Sequence, residues 1–488
     1  MPLLHVGSSL SKRAAAITND HPNKPCHPEH SEGPAFAFDP PMNYAESLHY
    51  LLSLGRELAA PTQAAAAKFN LENISVLLDR LGRPDRAYPT IHVAGTNGKG
   101  STAAFVESIL RQAGFRTGLN TSPHLERINE RFRINGEEIS DELFAETFTR
   151  IHAVIEELLA EGKLRAHPTY FECVTALAFE VFVTQHVEFA VIEVGLGGRL
   201  DATNIITPVV SVITRIDFDH ENFLGHSLPE IAGEKAGILK HGVPVVSAPQ
   251  LPEAQQVVRA RATELHCPLI ETANAFRIED ERTEAGCVRA TVTEIATATK
   301  FPLAPNLPGR FQLQNAINAV AAARILQSKN YAVTNDHIEC GIAEARWPGR
   351  LEKLQSNPDI FLDGAHNPSA ARELAHFLEE NFANRRVLLI YAAMRDKAVD
   401  EVAGLLFPLA AEVIFTQPNN PRAVSASQLA QIAGHHAQHF STIPNAEAAL
   451  AHALANAQPR DVIFITGSLY LVGQLRHGWN HRRTNQTA

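Results

Sequence analysis

From Tyr44 onward, short runs rich in β-branched residues alternate with longer stretches in which apolar residues recur every three or four positions. The runs predict buried strands and the stretches predict helices, and their alternation is the rhythm of a parallel sheet covered by helices. A first set of runs comprises Thr90 to Ala94, Val187 to Val194, Val209 to Ile213 and Val243 to Val246. A second set comprises Ile360 to Leu362, Val387 to Ile390, Val413 to Thr416 and Val462 to Thr466. Between them, Trp347, Pro348 and Gly349 break a helical pattern, which places a boundary near Ala345 to Arg350. Residues 266 to 305 hold alternating segments such as Cys287 to Val292, the mark of a strand-rich insertion closing the first domain. The two halves share a rhythm and not a sequence, so no internal repeat is read.

The chain has 488 residues, too many for one core, so two or three domains are expected. Residues 1–42 differ from the rest: His21, His27 and His30 lie among Pro22, Pro25, Pro28, Pro34 and Pro40, which interrupt any regular pattern. They are read as a disordered arm, a metal-binding tail being the sharper alternative that irregular histidine spacing disfavours. The division expected is 43–345 and 346–488 for the two α/β parts. Hydrophobic residues make up 45% and charged residues 20%, and the net charge of −10 is spread without long runs. Electrostatics alone therefore recruits neither nucleic acid nor an anionic membrane. No stretch matches a membrane helix or a signal core, so the expected location is the cytoplasm. Five cysteines without a CxxC spacing argue for reduced thiols rather than a disulfide framework or a thiolate zinc site.

Candidate chemistry begins after the first predicted strand. Gly95-Thr-Asn-Gly-Lys-Gly-Ser101 reads as a loop followed by a helix from Thr102 to Gln112. Glycines there let successive N–H groups converge on phosphate oxygens at the positive end of a helix, and Lys99 supplies the compensating charge. The loop departs from GxxxxGK[ST] by one residue fewer between glycines and an extra Gly100 before Ser101. The bland alternative is a mere connection; placement between strand and helix favours nucleotide phosphate.

The string GTNGKGS resembles the phosphate loop of the Mur ligase superfamily, and Thr121-Ser-Pro-His-Leu125 narrows the likeness to folylpolyglutamate and dihydrofolate synthases. Further matches are Glu193-Val-Gly-Leu-Gly-Gly-Arg-Leu-Asp-Ala-Thr-Asn204, Asp219-His220 with Leu224-Gly225, and Ile231 to Ile238. In the second half come Trp347-Pro-Gly-Arg-Leu-Glu352 and Leu362-Asp-Gly-Ala-His-Asn-Pro368. The likeness runs from about residue 44 to 475 in the family's order. It implies a P-loop-containing, Mur-ligase-like ATPase domain followed by a smaller Rossmann-like α/β domain.

The resemblance implies that ATP meets Thr96, Asn97, Gly98, Lys99, Gly100, Ser101, Asn315, Arg350 and Asp363, with His366 near the reacting phosphate. Read without it, Asn315 serves equally as a helix N-cap and Arg350 as a surface cation. Asp363 and His366 follow a predicted strand at the edge where open α/β sheets bind ligands. Magnesium suits oxygen ligands and phosphate charge, and the resemblance assigns it to Ser122, Glu172 and His220, two ions being expected. Glu172 alone reads as an exposed helix-start carboxylate and His220 as a loop histidine after Asp217 and Asp219. Lys235 alone reads as half of a solvated ion pair with Glu234; in relatives the corresponding lysine carries a carbon dioxide adduct, and that carbamate is carried over to Lys235.

The activity implied is ligation of L-glutamate to dihydropteroate, to the γ-carboxylate of tetrahydrofolate, or to both, through an acyl phosphate made from ATP. A bifunctional enzyme is the choice made here, although GRFQLQNA at Gly309 to Ala316 differs from the version in some bifunctional relatives and keeps a folylpolyglutamate-only enzyme open. A cell-wall Mur ligase leaves TSPHL unexplained, and a P-loop switch or transport ATPase leaves the second-half motifs unused. Phe69, Asn70 and Leu71 occupy the place of a folate-contacting segment in relatives, and Arg127, Asn129, Arg131 and Arg133 offer partners for a glutamate tail or are simply solvated. A monomer is expected.

Overall fold

The computed structural model describes residues 41–55 and 70–487, and the arm expected over residues 1–42 falls almost wholly outside them. The described residues build three sheets, two of them large with helices on both faces, as the alternating rhythm requires. In the first sheet the strands are β1 (Thr90–Ala94), β2 (Thr117–Asn120), β3 (Phe132–Ile134), β4 (Glu137–Glu138), β5 (Phe189–Glu193), β6 (Val210–Ile213), β7 (Val245–Ser247) and β8 (Leu269–Glu271). Their order is β4-β3-β2-β5-β1-β6-β7-β8. From β2 to β8 all pairs are parallel, while β3 and β4 join antiparallel at the edge. Alternate residues of β5 serve opposite cores: Phe189 and Val191 pack with the helices Lys99–Gln112 and Phe311–Ser328, and Ala190 and Ile192 with Asp141–Ala160 and Tyr170–Thr184.

The strand-rich insertion is an antiparallel sheet of β9 (Phe276–Glu284), β10 (Cys287–Glu294) and β11 (Thr299–Leu303). Val288, Ala290 and Val292 turn one face of β10 into the first core, so the alternation seen in the sequence has a direct cause.

The second large sheet contains β12 (Glu352–Gln355), β13 (Asp359–Leu362), β14 (Val387–Tyr391), β15 (Glu412–Gln417), β16 (Phe440–Asn445) and β17 (Val462–Thr466). Its order is β12-β13-β17-β14-β15-β16, parallel except for β12. The α/β expectation therefore holds, with mixed rather than purely parallel sheets. Among the described residues no helix is long and apolar enough to cross a membrane, and Cys173, Cys267, Cys287 and Cys340 are free thiols.

Candidate active site

The chain leaves β1 at Ala94 and enters the helix Lys99–Gln112 through a loop that two glycines make feasible. Gly98 is the N-cap with φ of 86°, and a β-carbon there would lie 2.3 Å from Asn315 Oδ1. A β-carbon on Gly100 would meet the Trp347 ring at 2.9 Å. The loop thus sits hard against the helix Phe311–Ser328 and the tryptophan of the expected boundary. The Thr96 hydroxyl donates to the Asp217 carbonyl at 2.9 Å and accepts from the Asp217 N–H at 3.0 Å. Ser101 is buried and accepts from Gln312 Nε2 at 3.3 Å, and Asn315 Nδ2 donates to Gln312 Oε1 at 2.9 Å. Arg310 is the N-cap of that helix, so Asn315 lies inside it and the capping alternative fails.

Two lysines meet at this loop. Lys99 Nζ donates to the carbonyls of Gly95 at 3.1 Å and Thr96 at 3.2 Å, and Lys235 Nζ donates to the same Gly95 carbonyl at 2.9 Å. Burial lowers the pKa of both; for Lys235 burial, then the neighbouring Lys99 charge, brings it to about 7. Lys235 is only 4% exposed, which overturns its reading as a solvated ion-pair partner. Glu234 pairs instead with Arg199, at 2.8 Å.

A second cluster joins the two large sheets. Lys397, just beyond β14, donates to Asp219 Oδ1 at 2.7 Å, and its Nζ lies 3.3 Å from His220 Nε2. Asn367 donates to Asp219 Oδ2 at 3.1 Å and exchanges amide hydrogen bonds with Asn97 at 3.0 and 3.2 Å. His366 places Nε2 3.7 Å from Asp219 Oδ2, and its Nδ1 lies 2.7 Å from the Gly364 carbonyl, which fixes Nδ1 as the donor there. Burial opposes ionisation of Asp219, but the neighbouring His366 imidazole and the Lys397 ammonium prevail and hold it well below the usual carboxylate range. His220 is lowered to about 4 by burial, with Lys397 opposing a positive ring, so it is neutral at pH 7. An imidazole in that state is a competent metal ligand, yet a cation at its Nε2 requires Lys397 to withdraw.

Glu193 ends β5 in the same cavity. One of its oxygens accepts from the Ser122 N–H at 3.1 Å, and burial raises its pKa against the opposing charge of Lys99. Glu172 is elsewhere engaged. Its Oε2 accepts from both the N–H and the hydroxyl of Thr169 at 2.8 Å, closing a capping box on the helix Tyr170–Thr184, and it does not line the cavity. The sequence pattern Thr-x-x-Glu carried that signal, and the structure does not bring Glu172 together with Ser122 and His220, the other residues expected to hold magnesium, in the cavity. Asp363 is buried with its two oxygens on the N–H groups of Leu351 and Ala365, at 3.0 and 2.9 Å, beneath Arg350.

Asn70 and Leu71 do not reach the cavity either. Asn70 Oδ1 accepts from the Glu72 N–H at 3.0 Å at the start of the helix Glu72–Arg80, and Leu71 packs into the core beside Asp141–Ala160; Phe69 lies outside the described residues. Of the arginines after TSPHL, Arg131 is buried and Arg133 mostly so, while Arg127 is half-exposed. Arg127 pairs with Asp141, Arg131 donates to His124 Nδ1 at 2.8 Å, and Arg133 stacks over Trp347 at 5.6 Å.

What remains is a cavity of about 660 Å³ lined by Gly95 to Ser101, Ser122, Glu193, Asp219, His220, Lys235, Asn315, Arg350, Asp363 and His366. The lining gathers at the carboxyl ends of β1, β5 and β6 in one sheet and β13 in the other, where open α/β sheets bind ligands. A glycine loop opening a helix and bearing a lysine suits phosphate, and buried carboxylates with a neutral imidazole suit a divalent cation. Sequence reasoning gave no role to Glu193, Asp219 or Lys397. Lys397 had one available signal, its place beyond the carboxyl end of a predicted strand.

Two family models match the chain, the Mur ligase middle domain over residues 93–323 and the Mur ligase, glutamate ligase domain over residues 349–469. Their order and the two-sheet cavity define a Mur-type ligase. The "Dihydrofolate synthase/folylpolyglutamate synthase" of Bacillus subtilis is 37% identical over 412 residues, covering 84% of this chain and 94% of the relative. Among solved structures, a Mycobacterium tuberculosis folylpolyglutamate synthase complexed with ADP has a TM-score of 0.81 at 31% identity, over 89% of this chain and 98% of that one. An E. coli protein, FolC, in complex with DHPP and ADP, has a TM-score of 0.78 at 29% identity, over 91% and 99%. The chain belongs to the dihydrofolate synthase/folylpolyglutamate synthase family of Mur ligases.

Proposed function

We propose that this chain joins L-glutamate in amide linkage to dihydropteroate and to the γ-carboxylate of tetrahydrofolate, converting ATP to ADP and phosphate. The observation that carries it is the single cavity into which one sheet presents the Lys99 loop and the other presents Arg350, Asp363 and His366. Relatives crystallised with ADP support the nucleotide, and the dual name of the Bacillus subtilis relative supports two acceptors.

In this reading residues 43–345 hold the triphosphate and 346–488 close over it, as a monomer. Backbone N–H groups of Thr96 to Ser101 and the Lys99 ammonium bind phosphate oxygens, Asn315 lies beside the base, and Arg350 reaches from the second sheet. A substrate carboxylate attacks the γ-phosphorus and ADP leaves; the glutamate amine then attacks the acyl carbon, loses a proton, and phosphate leaves. Packing of the lobes around the cavity excludes water that would hydrolyse the acyl phosphate. Buried Glu193 with Ser122, and neutral His220, are the residues fitted to hold magnesium, which neutralises phosphate charge when bound. Asp219 orients His220, His366 and Asn367, and Lys397 fixes Asp219.

Lys235 carries the carbamate in this reading. Its neutral amine adds carbon dioxide and releases a proton, turning one of two facing cations into an anion beside Lys99. Because the amine must be unprotonated, at fixed dissolved carbon dioxide the adduct increases as pH rises through about 7. Carbon-13 NMR of enzyme in labelled carbon dioxide is expected to show a carbamate signal absent from Lys235→Arg, and depletion of carbon dioxide is expected to slow turnover. An unlabelled wild-type enzyme at full activity contradicts the adduct.

The function is tested by supplying ATP and glutamate with dihydropteroate or tetrahydrofolate side by side. Amide product and ADP from both acceptors are expected, with labelled oxygen passing from the acid into phosphate. Product from tetrahydrofolate alone leaves a folylpolyglutamate synthase, and hydrolysis with no amide rejects the ligase.

A further inference from the structure

Away from the cavity, the second α/β part brings two histidines and a carboxylate together. Asp400 lies in the first turn of the helix Val399–Leu406, and His435 and His436 occupy a short 3₁₀ turn, Gly434–His436, after the helix Ala426–Ala433. Both imidazole Nε2 atoms approach one oxygen: His436 at 3.0 Å and His435 at 3.7 Å from Asp400 Oδ1, with ring centroids 3.9 Å apart. We propose that Asp400, His435 and His436 form a surface site for a divalent first-row transition metal such as zinc.

Three observations support the site. Donor atoms sharing an ion with bonds of about 2.1 Å lie roughly 3.0 to 3.4 Å apart, and the two separations from the carboxylate oxygen bracket that span. Two imidazoles aimed at a single carboxylate oxygen exceed what one hydrogen bond needs, and they form the two-histidine, one-carboxylate set that suits such ions. The frame is also preorganised. Leu406 shares a core with Leu429 and Ala433, which fixes the two helices together, and the His436 ring lies against Gly404, where a β-carbon would come within 3.4 Å of it. His435 and Asp400 are each 63% exposed, which leaves water free to complete the coordination. Two imidazoles with a single carboxylate oxygen favour a transition ion over magnesium, which prefers a set dominated by oxygen ligands, so excess magnesium is not expected to fill this site. A bound ion clips the start of Val399–Leu406 to the turn, three residues beyond Lys397.

The test titrates the full chain with cobalt(II) in excess magnesium, reading visible absorbance, beside Asp400→Asn, His435→Gln and His436→Gln. Each variant is expected to lose one binding equivalent or about tenfold or more in its affinity. Zinc is expected to raise the melting temperature of the wild type and of none of the variants, while their metal-free melting and their ligation rate in magnesium match wild type. Titration and melting curves that coincide for all four proteins, with or without ion bound, overturn the site.

Discussion

Replacing Lys99 by alanine is expected to lower ligation kcat/KM by at least about 10³-fold while the protein folds as before. The two halves of that expectation come from the same geometry. The ammonium lies over the mouth of the glycine loop and donates to two loop carbonyls, so it is the side-chain cation best placed to meet charge spreading over a transferring phosphoryl group. Burial already disfavours that ammonium in the folded protein, and the Gly95 carbonyl keeps a donor in Lys235 after the substitution. Removing a disfavoured cation, with one of its two carbonyl acceptors still served, leaves little to destabilise. The measurement is coupled ADP release with either acceptor, together with thermal melting followed by circular dichroism. Wild-type turnover in Lys99→Ala would remove the phosphate assignment of Lys99; collapse of the fold would show that the lysine is structural.

The fold was legible where burial is complete. β1 and β17 match the expected runs residue for residue, because a strand covered on both faces reads as a mostly apolar run, and the one imidazole in β1, His92, is buried 2.9 Å from the Thr203 hydroxyl. Edge strands escaped for the opposite reason: β4 is Glu137–Glu138 and β12 is Glu352–Gln355, half-solvated segments that show no apolar pattern. The helix after the glycine loop begins at Lys99, three residues before the expected Thr102, since lysine and glycine at its first positions give no starting signal. At the site, Lys235 could have been recognised as buried, for it follows Ile231 by one helical turn on a face that also carries Ala232 and Ala236. The grip of Lys397 on Asp219 could not. The two lie 178 residues apart, and only the packing of one sheet's carboxyl edge against the other's brings them together.

Two glutamates, Glu193 proposed for the metal and Glu172 engaged in a helix cap, give the sharpest separation between catalysis and stability. Glu193→Gln is nearly isosteric but removes the buried negative charge beside Ser122, so kcat/KM is expected to fall about 10²-fold or more, with a magnesium requirement raised about tenfold or more. Its stability should move the other way. Burial raises the Glu193 pKa, so folding disfavours the ionised form, and that penalty is present above the raised pKa and disappears as pH falls through it. Without magnesium, Glu193→Gln is therefore expected to melt higher than wild type near pH 7, the difference shrinking in acid. Glu172→Ala should keep kcat/KM within a few-fold and lose about 0.5–2 kcal/mol of stability, because its carboxylate closes the capping box of Tyr170–Thr184. Melting curves with and without magnesium, and initial rates across a magnesium series, decide the matter. If Glu172→Ala raises the magnesium requirement and Glu193→Gln leaves it unchanged, the metal belongs to the helix start after all, and the carboxylate at the end of β5 is a buried structural acid.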